Sequence, residues 1–169
     1  MKKSVALAAC GIVGLVLICA AFAQDIEKHP GCKYCGMDRK MFGHSRMLVV
    51  YDDGSELGAC SLHCVAVDMA VHIDKFPKTI QVGDFNTKQL IDAEKAVWVL
   101  GGEKPGVMTK RAKWAFADKA GAEAYIKANG GQLADFETVI KAAYEDMYAD
   151  TKMIRDRRKA KRMQHSHGS

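Results

Sequence analysis

Hydrophobic positions along the chain alternate or recur in segments that predict short strands and helices. Apolar runs bounded by turn residues predict strands over residues 46–51, 56–59, 79–85, 96–100 and 132–136. Helical periodicity predicts helices over residues 61–73, 118–129 and 137–147. The elements follow the order β-β-α-β in the first half and β-α-β-α in the second, which predicts an α+β fold.

Turn and cap residues define the predicted elements of the first half. The segment Asp52-Asp53-Gly54-Ser55 predicts a hairpin turn, because Asp-Gly readily supplies the positive φ that such turns need. Ser61 is the predicted N-cap of the helix that follows. Trp98 and Trp114 are predicted to pack in the core. The apolar stripe of the first helix is predicted to consist of Leu62, Val65, Met69 and Ile73.

The first 23 residues have the composition of an export signal. Lys2 and Lys3 form a positive start, an apolar run follows, and Ala21-Phe22-Ala23 fits a cleavage site. We therefore predict that residues 1–23 are a signal peptide and that the protein is periplasmic. A retained membrane anchor and a lipidated Cys10 are the alternatives.

Charge divides the rest of the chain into a body and a basic tail. The whole chain carries +5, of which the leader contributes two lysines and residues 150–169 contribute seven Lys or Arg and two Asp. The body is therefore slightly acidic. We predict a metal-binding domain over residues 24–149 and a basic, His-containing tail over 150–169. The tail is predicted to be disordered or a helix extension, with anionic lipid or an acidic partner as its contact. A charged tail alone predicts no nucleic-acid module.

Two cysteine pairs carry the candidate chemistry of the body. Cys32 and Cys35 form a CxxC within a glycine-flanked turn, a spacing that lets both sulfurs face one ion. Cys60 ends a predicted strand, and Cys64 lies in the first turn of the predicted helix. The pairs are therefore candidates for a four-sulfur metal site. In an oxidising compartment, disulfides between the pairs are the alternative.

The order of motifs along the body resembles the NosL family. The motifs that carry this resemblance are Cys32-Lys33-Tyr34-Cys35-Gly36-Met37, the hairpin, Cys60 and Cys64, Val82-Gly83-Asp84-Phe85-Asn86-Thr87, Ile91-Asp92-Ala93, Met108, Ala115-Phe116 and Gly130-Gly131. The first half alone also resembles the TRASH-type heavy-metal module. NosL proteins are copper chaperones associated with the maturation of nitrous oxide reductase.

The resemblance implies a fold, a cargo and a ligand set. The fold would consist of two small lobes of ββαβ type, and we predict mixed sheets with helices packed on one face. The cargo would be copper(I), with zinc as a second candidate, and the client a copper enzyme such as nitrous oxide reductase. The family's CGM segment falls on Cys35-Gly36-Met37, and its downstream methionine falls on Met108. The predicted metal ligands are Cys32, Cys35, Cys60, Cys64, Met37 and Met108.

Two features of the chain depart from the family pattern. Members are typically lipoproteins, whereas this chain lacks a well-placed lipidation motif, and many members lack Cys60 and Cys64. Two other functions therefore stand beside the chaperone: a thiol-disulfide oxidoreductase that uses Cys32 and Cys35, and an interaction domain stabilised by zinc or disulfides. We predict no enzyme activity, because no helix is predicted to begin at the CxxC. His63 is predicted to lie on the surface, although it falls between two cysteines.

Overall fold

The computed structural model describes residues 24–166, so the predicted signal peptide lies outside the described residues. Helix α1 is described over residues 24–28. The elements that follow are β1 (Met47–Tyr51), β2 (Glu56–Ala59), α2 (Leu62–Val71), β3 (Pro77–Gly83), β4 (Leu90–Asp92), β5 (Val97–Leu100), β6 (Lys113–Phe116), α3 (Lys119–Asn129), β7 (Gln132–Ala134) and α4 (Phe136–Ser166).

The strands form two sheets, one in each half of the chain. The first has the order β2-β1-β3-β4 and the second the order β6-β5-β7. Val49 of β1 lies opposite Leu57 of β2 and Ile80 of β3, and Val99 of β5 lies opposite Trp114 and Leu133. Each half is thus a hairpin followed by a helix and a third strand, which confirms the predicted α+β fold of two ββαβ lobes.

The sheets are antiparallel rather than mixed. Every strand pair in residues 24–166 is antiparallel. In each lobe the helix returns the chain so that the third strand runs in the same direction as the second. The third strand, however, lies on the far side of the first, so the two parallel strands never pair.

Two strands are not indicated by the sequence pattern, each for a different reason. All four residues of β6 are buried, and β4 has only three residues.

Helix α2 ends at Val71, two residues earlier than predicted, and His72 is its C-cap. The assignment of Ile73 to the apolar stripe is therefore wrong: its side chain is 88% exposed.

Helix α4 continues far beyond the predicted end at residue 147. It has 31 residues, and residues 155–164 are exposed. Charged residues on all sides of this part leave no apolar stripe, so periodicity does not indicate it. Lys, Arg, Met and Ala are good helix formers, and Lys152 pairs with Asp156 one turn later (2.6 Å). The described part of the basic tail is thus a helix extension.

A shared apolar core joins the two lobes. Val49 and Val65 of the first lobe belong to the same buried cluster as Trp98 and Val139 of the second. Trp98 and Trp114 are both buried, as predicted, and the Trp98 indole N–H donates to the carbonyl of Ala93 (2.8 Å). None of the helices described between residues 24 and 166 is long and apolar enough to cross a membrane.

A buried group of three charges connects α1 to the first sheet. The Asp25 carboxylate accepts hydrogen bonds from Arg39 (2.9 Å) and from Arg46 (2.9 and 3.1 Å). Both arginine side chains are fully buried and that of Asp25 is 4% exposed. Arg39 also donates to the carbonyls of Asp25, His29, Met47 and Ala59. Three separate segments therefore meet at one guanidinium.

Replacing Asp25 by Asn tests this charge group. The change leaves two buried guanidinium ions without their shared counter-ion, so we expect the free energy of unfolding to fall by about 3–5 kcal/mol. Urea denaturation of the domain from residue 24 onward measures it. The exposed pair of Lys152 and Asp156 supplies the control, since Asp156→Asn is expected to leave stability near that of the wild type. Equal stability of the two variants would contradict the assigned role.

Candidate metal centre

A tight turn presents the first cysteine pair. Cys32 donates its backbone N–H to the carbonyl of Met37 (2.9 Å), and Gly36 donates to the carbonyl of Cys32 (2.9 Å). Gly36 has φ +75°, a left-handed conformation that glycine adopts without steric cost. An isolated bridge between Gly31 and Asp38 closes the loop. These contacts define the knuckle, residues 31–38.

The knuckle is attached to the strand that leads to the second pair. Lys33 donates its backbone N–H to the carbonyl of Gly58 in β2 (3.1 Å). A Cβ atom at Gly58 would lie 2.4 Å from the Cβ of His29. Only glycine therefore allows the segment before the knuckle to cross β2 this closely.

The second pair lies at the junction of β2 and α2. Cys60 directly follows β2, and Cys64 lies in the first turn of α2. Ser61 between them is the N-cap with extended backbone, as predicted, but its side chain makes no capping hydrogen bond. Instead, the Ser61 hydroxyl oxygen faces the Cys60 thiol at 3.8 Å.

The four sulfur atoms converge on one point. All four lie within 4.8 Å of one another; the distance is 3.4 Å from Cys35 to Cys60 and 3.8 Å from Cys60 to Cys64. Sulfurs bound tetrahedrally at about 2.3 Å from an ion would lie about 3.8 Å apart, whereas a disulfide bond is only about 2.05 Å long. All four of these cysteines are free thiols. The four sulfurs could therefore hold one metal ion, and none of them is joined in a disulfide.

The thiols differ in how readily they lose their protons. Hydrogen bonds from Cys35, Cys60 and Cys64 lower the pKa of Cys32. The bond with Cys32 raises the pKa of Cys35, but those from Cys60 and Cys64 outweigh it and bring that pKa to about 7. Hydrogen bonds with Cys32 and Cys35 raise the pKa values of Cys60 and Cys64. The knuckle thus supplies the first thiolates, the form that binds metal.

Backbone amides and a buried cation stabilise these thiolates. The N–H groups of Cys35 and Met37 donate to the sulfurs of Cys32 and Cys35, and both bonds lower the thiol pKa. Arg39 lies behind the site and donates to the carbonyl of Ala59 (3.2 Å). Burial lowers the pKa of Arg39, while the charges of Asp25 and Cys32 oppose that shift. A negative charge on Cys32 therefore interacts favourably with the buried guanidinium of Arg39.

The two candidate methionines lie beside the core that contains the cysteines. Met37 and Met108 are both half-buried and pack against that core, and their role as ligands stays a prediction. Met108 has φ +62°, a conformation that is uncommon outside glycine and marks a locally constrained backbone.

Helix α4 holds the loop that carries Met108. Asp150 accepts from the backbone N–H of Lys110 (3.2 Å), and Asp146 accepts from Arg111 (2.9 Å) and Lys113 (2.7 Å). The conformation of the Met108 loop therefore depends on acidic residues of a helix some 40 positions later in the sequence.

The prediction for His63 is wrong. Its side chain is buried, with its Nδ1 atom 3.7 Å from a carboxylate oxygen of Asp150. His63 faces α4 rather than solvent, because α2 and α4 pack together. This packing could not be anticipated while α4 was predicted to end at residue 147.

The sequence pattern also misses Asp68, which lies one helical turn after Cys64. Its carboxylate is 1% exposed and accepts hydrogen bonds from Tyr34 and Lys33 of the knuckle and from Tyr51 of β1. Burial raises the pKa of Asp68, but these three donors outweigh it and lower the pKa overall. The only sequence signal is an acidic residue four positions after a cysteine on an otherwise apolar helix.

Comparisons with known proteins show the family of the chain. The family model described as NosL matches residues 23–144. The chain belongs to the NosL family. This confirms the resemblance that the order of motifs carries, and the match spans both lobes and all four described cysteines.

A solved NosL structure supports the fold. The crystal structure of the copper chaperone NosL from Shewanella denitrificans aligns with a TM-score of 0.52 and 21% sequence identity, covering 63% of this chain and 87% of that chain. At this level of identity the match shows that the fold is shared. No curated protein gives a significant match to the sequence.

Proposed function

We propose that this NosL-family protein is a periplasmic copper(I) chaperone that delivers its metal to a copper enzyme such as nitrous oxide reductase. The observation that carries the proposal is the convergence of four thiols within 4.8 Å. The membership of the NosL family and the likeness to a protein described as a copper chaperone support the same function.

The donor set suits copper(I). Thiolate and thioether are soft ligands, which copper(I) prefers to oxygen donors. The knuckle supplies two of the four thiolates and places Met37 two residues after Cys35. Met108, on a loop held by α4, is proposed as the downstream thioether. We propose that the protein carries the metal without catalysing a reaction.

The unequal exposure of the thiols suits transfer. Cys32, Cys60 and Cys64 are buried, whereas Cys35 is half-buried. A soft donor of the client can therefore approach the metal from the side of Cys35. We propose that Cys35 is replaced first during transfer, while the pair at the start of α2 retains the ion until the exchange is complete.

A zinc-stabilised interaction domain is the second candidate function. The observation that favours it is the burial of three of the four thiols, since structural zinc sites are closed four-coordinate cages that often consist of four thiolates. The oxidoreductase alternative has less support, because Cys32 and Cys35 lie in a turn and not at the start of a helix.

The exposed end of α4 is proposed as a contact with an anionic membrane surface. Residues 155–162 contain six Lys or Arg and one Asp, and all are exposed. Cationic side chains next to an anionic bilayer each contribute about 1 kcal/mol to binding. This contact would keep the chaperone near a membrane without a spanning segment.

Anaerobic titration with copper(I) against a competing chelator tests the chaperone function. We expect tight binding of copper(I) by the domain from residue 24 onward. Cys35→Ser is expected to weaken copper(I) binding by more than about 100-fold. Changes to residues that only contact the ligands typically weaken binding by about 10–100-fold, so a loss of a ligand should exceed that range. Met108→Ala is expected to weaken it by about tenfold or more, because a soft donor is lost.

Met163→Ala is the matched control for the methionine variant, since Met163 is 53% exposed near the end of α4. Its copper(I) affinity is expected to equal that of the wild type. Tight zinc binding without copper(I) binding would favour the structural-zinc function instead. An unchanged affinity of Met108→Ala would remove Met108 from the ligand set.

Truncation after Ile154 tests the membrane contact. We expect the intact domain to sediment with vesicles that contain phosphatidylglycerol but not with pure phosphatidylcholine vesicles. The truncated domain should not bind either, and it should keep its copper(I) affinity. In 1 M salt the Debye length is only about 3 Å, so binding should disappear. Salt-independent binding, or equal binding by the truncated domain, would contradict an electrostatic role of α4.

A further inference from the structure

The carboxylate of Asp68 receives donors from both middle residues of the CxxC motif. The Tyr34 hydroxyl donates to Oδ1 at 2.5 Å, and the Lys33 ammonium donates to the same oxygen at 3.1 Å. The other carboxylate oxygen accepts from the hydroxyl of Tyr51 in β1. Asp68 is thus a buried acceptor shared by the knuckle, α2 and β1.

This acceptor lies on the helix that carries one of the opposite cysteines. Asp68 follows Cys64 by four residues on α2, so the two lie on the same face one turn apart. A side-chain bond from Tyr34 to Asp68 therefore fixes the knuckle relative to Cys64. The backbone bond from Lys33 to Gly58 fixes it relative to the strand that leads to Cys60.

The two attachments differ in their dependence on sequence. Any residue other than proline at position 33 can donate its backbone N–H to Gly58, whereas the bonds to α2 require an anionic acceptor and suitable donors. Hydrogen bonds to a carboxylate are shorter and stronger than those between neutral groups. The distance between the knuckle and α2 is therefore set by specific side chains.

We propose that Asp68 is a positioning residue that holds Cys32 and Cys35 against Cys60 and Cys64 and so sets the affinity and geometry of the metal site. The inference rests on the proposed function, because it assumes that the four thiols bind metal. Asp68 does not touch the metal. It acts through Tyr34 and Lys33, and changes to such outer partners typically cost 10–100-fold in metal affinity.

The chain offers a matched pair of variants. Tyr34→Phe and Tyr51→Phe each remove one hydroxyl that donates to Asp68. Only Tyr34 belongs to the knuckle, while Tyr51 lies on β1 of the sheet. A role of Asp68 in general stability predicts that both variants weaken metal binding in proportion to the stability they lose. A positioning role predicts that the effect on metal binding is specific to Tyr34.

The experiment measures copper(I) affinity by chelator competition and unfolding by urea for the domain from residue 24 onward. We expect Asp68→Asn to weaken copper(I) binding by about 10–100-fold. The knuckle variant, which combines Lys33→Leu with Tyr34→Phe, is expected to weaken it by about tenfold. Tyr51→Phe should stay within about threefold of the wild type. The combined variant keeps the acceptor, so it tests the inference even if Asp68→Asn fails to fold.

Cobalt(II) absorption provides a readout of geometry. The wild type should show the intense visible bands of a tetrahedral thiolate site, and these bands should shift or weaken in the knuckle variant but not in Tyr51→Phe. Wild-type affinity and spectrum in both Asp68→Asn and the knuckle variant would overturn the inference. Equal effects of Tyr34→Phe and Tyr51→Phe would do so as well. A wild-type domain that binds neither copper(I) nor cobalt(II) would instead overturn the proposed function on which it rests.

Discussion

The structure of the first lobe depends on bringing four sulfur atoms from two distant segments to one point. Thiolates held this close repel one another, so the surroundings must compensate both their charge and their burial. Backbone amides donate to Cys32 and Cys35, and the Arg39 guanidinium lies behind Cys32. The buried charge of Arg39 is in turn balanced by the Asp25 carboxylate of α1, which accepts a hydrogen bond from it. The buried ions of this lobe and its cysteines therefore form one electrostatic unit.

Local attachments then determine how the two cysteine pairs meet. Gly58 lets the segment before the knuckle cross β2, and Asp68 receives the knuckle side chains on α2. The second lobe supports the cysteine site through α4. This helix packs on α2 and accepts a hydrogen bond from the loop that carries Met108. Three of the thiols are buried and Cys35 is half-buried, so a tightly held ion would still have one accessible side.

Features with a local cause were predictable from the sequence. The hairpin at Gly54, the N-cap position of Ser61, the cysteine pairs and the ββαβ order all follow from short motifs, and the motif order indicates the NosL family. Features that depend on tertiary packing were not predictable. The fully buried β6 has no alternation, and the extension of α4 has no apolar stripe. The burial of His63 follows from contact with that extension. The hydrogen-bond donors to the Asp68 carboxylate and the acceptors of the Arg39 guanidinium lie between 8 and 35 positions away in sequence.

We propose that the two cysteine pairs together hold one soft metal ion. X-ray absorption at the copper edge of the anaerobically loaded domain tests this most directly. We predict a copper(I) edge and a ligand shell made of sulfur, with a clear loss of sulfur scattering when Cys60 and Cys64 are both replaced by serine. A shell dominated by nitrogen or oxygen, or a sulfur shell unchanged in that double variant, would contradict it.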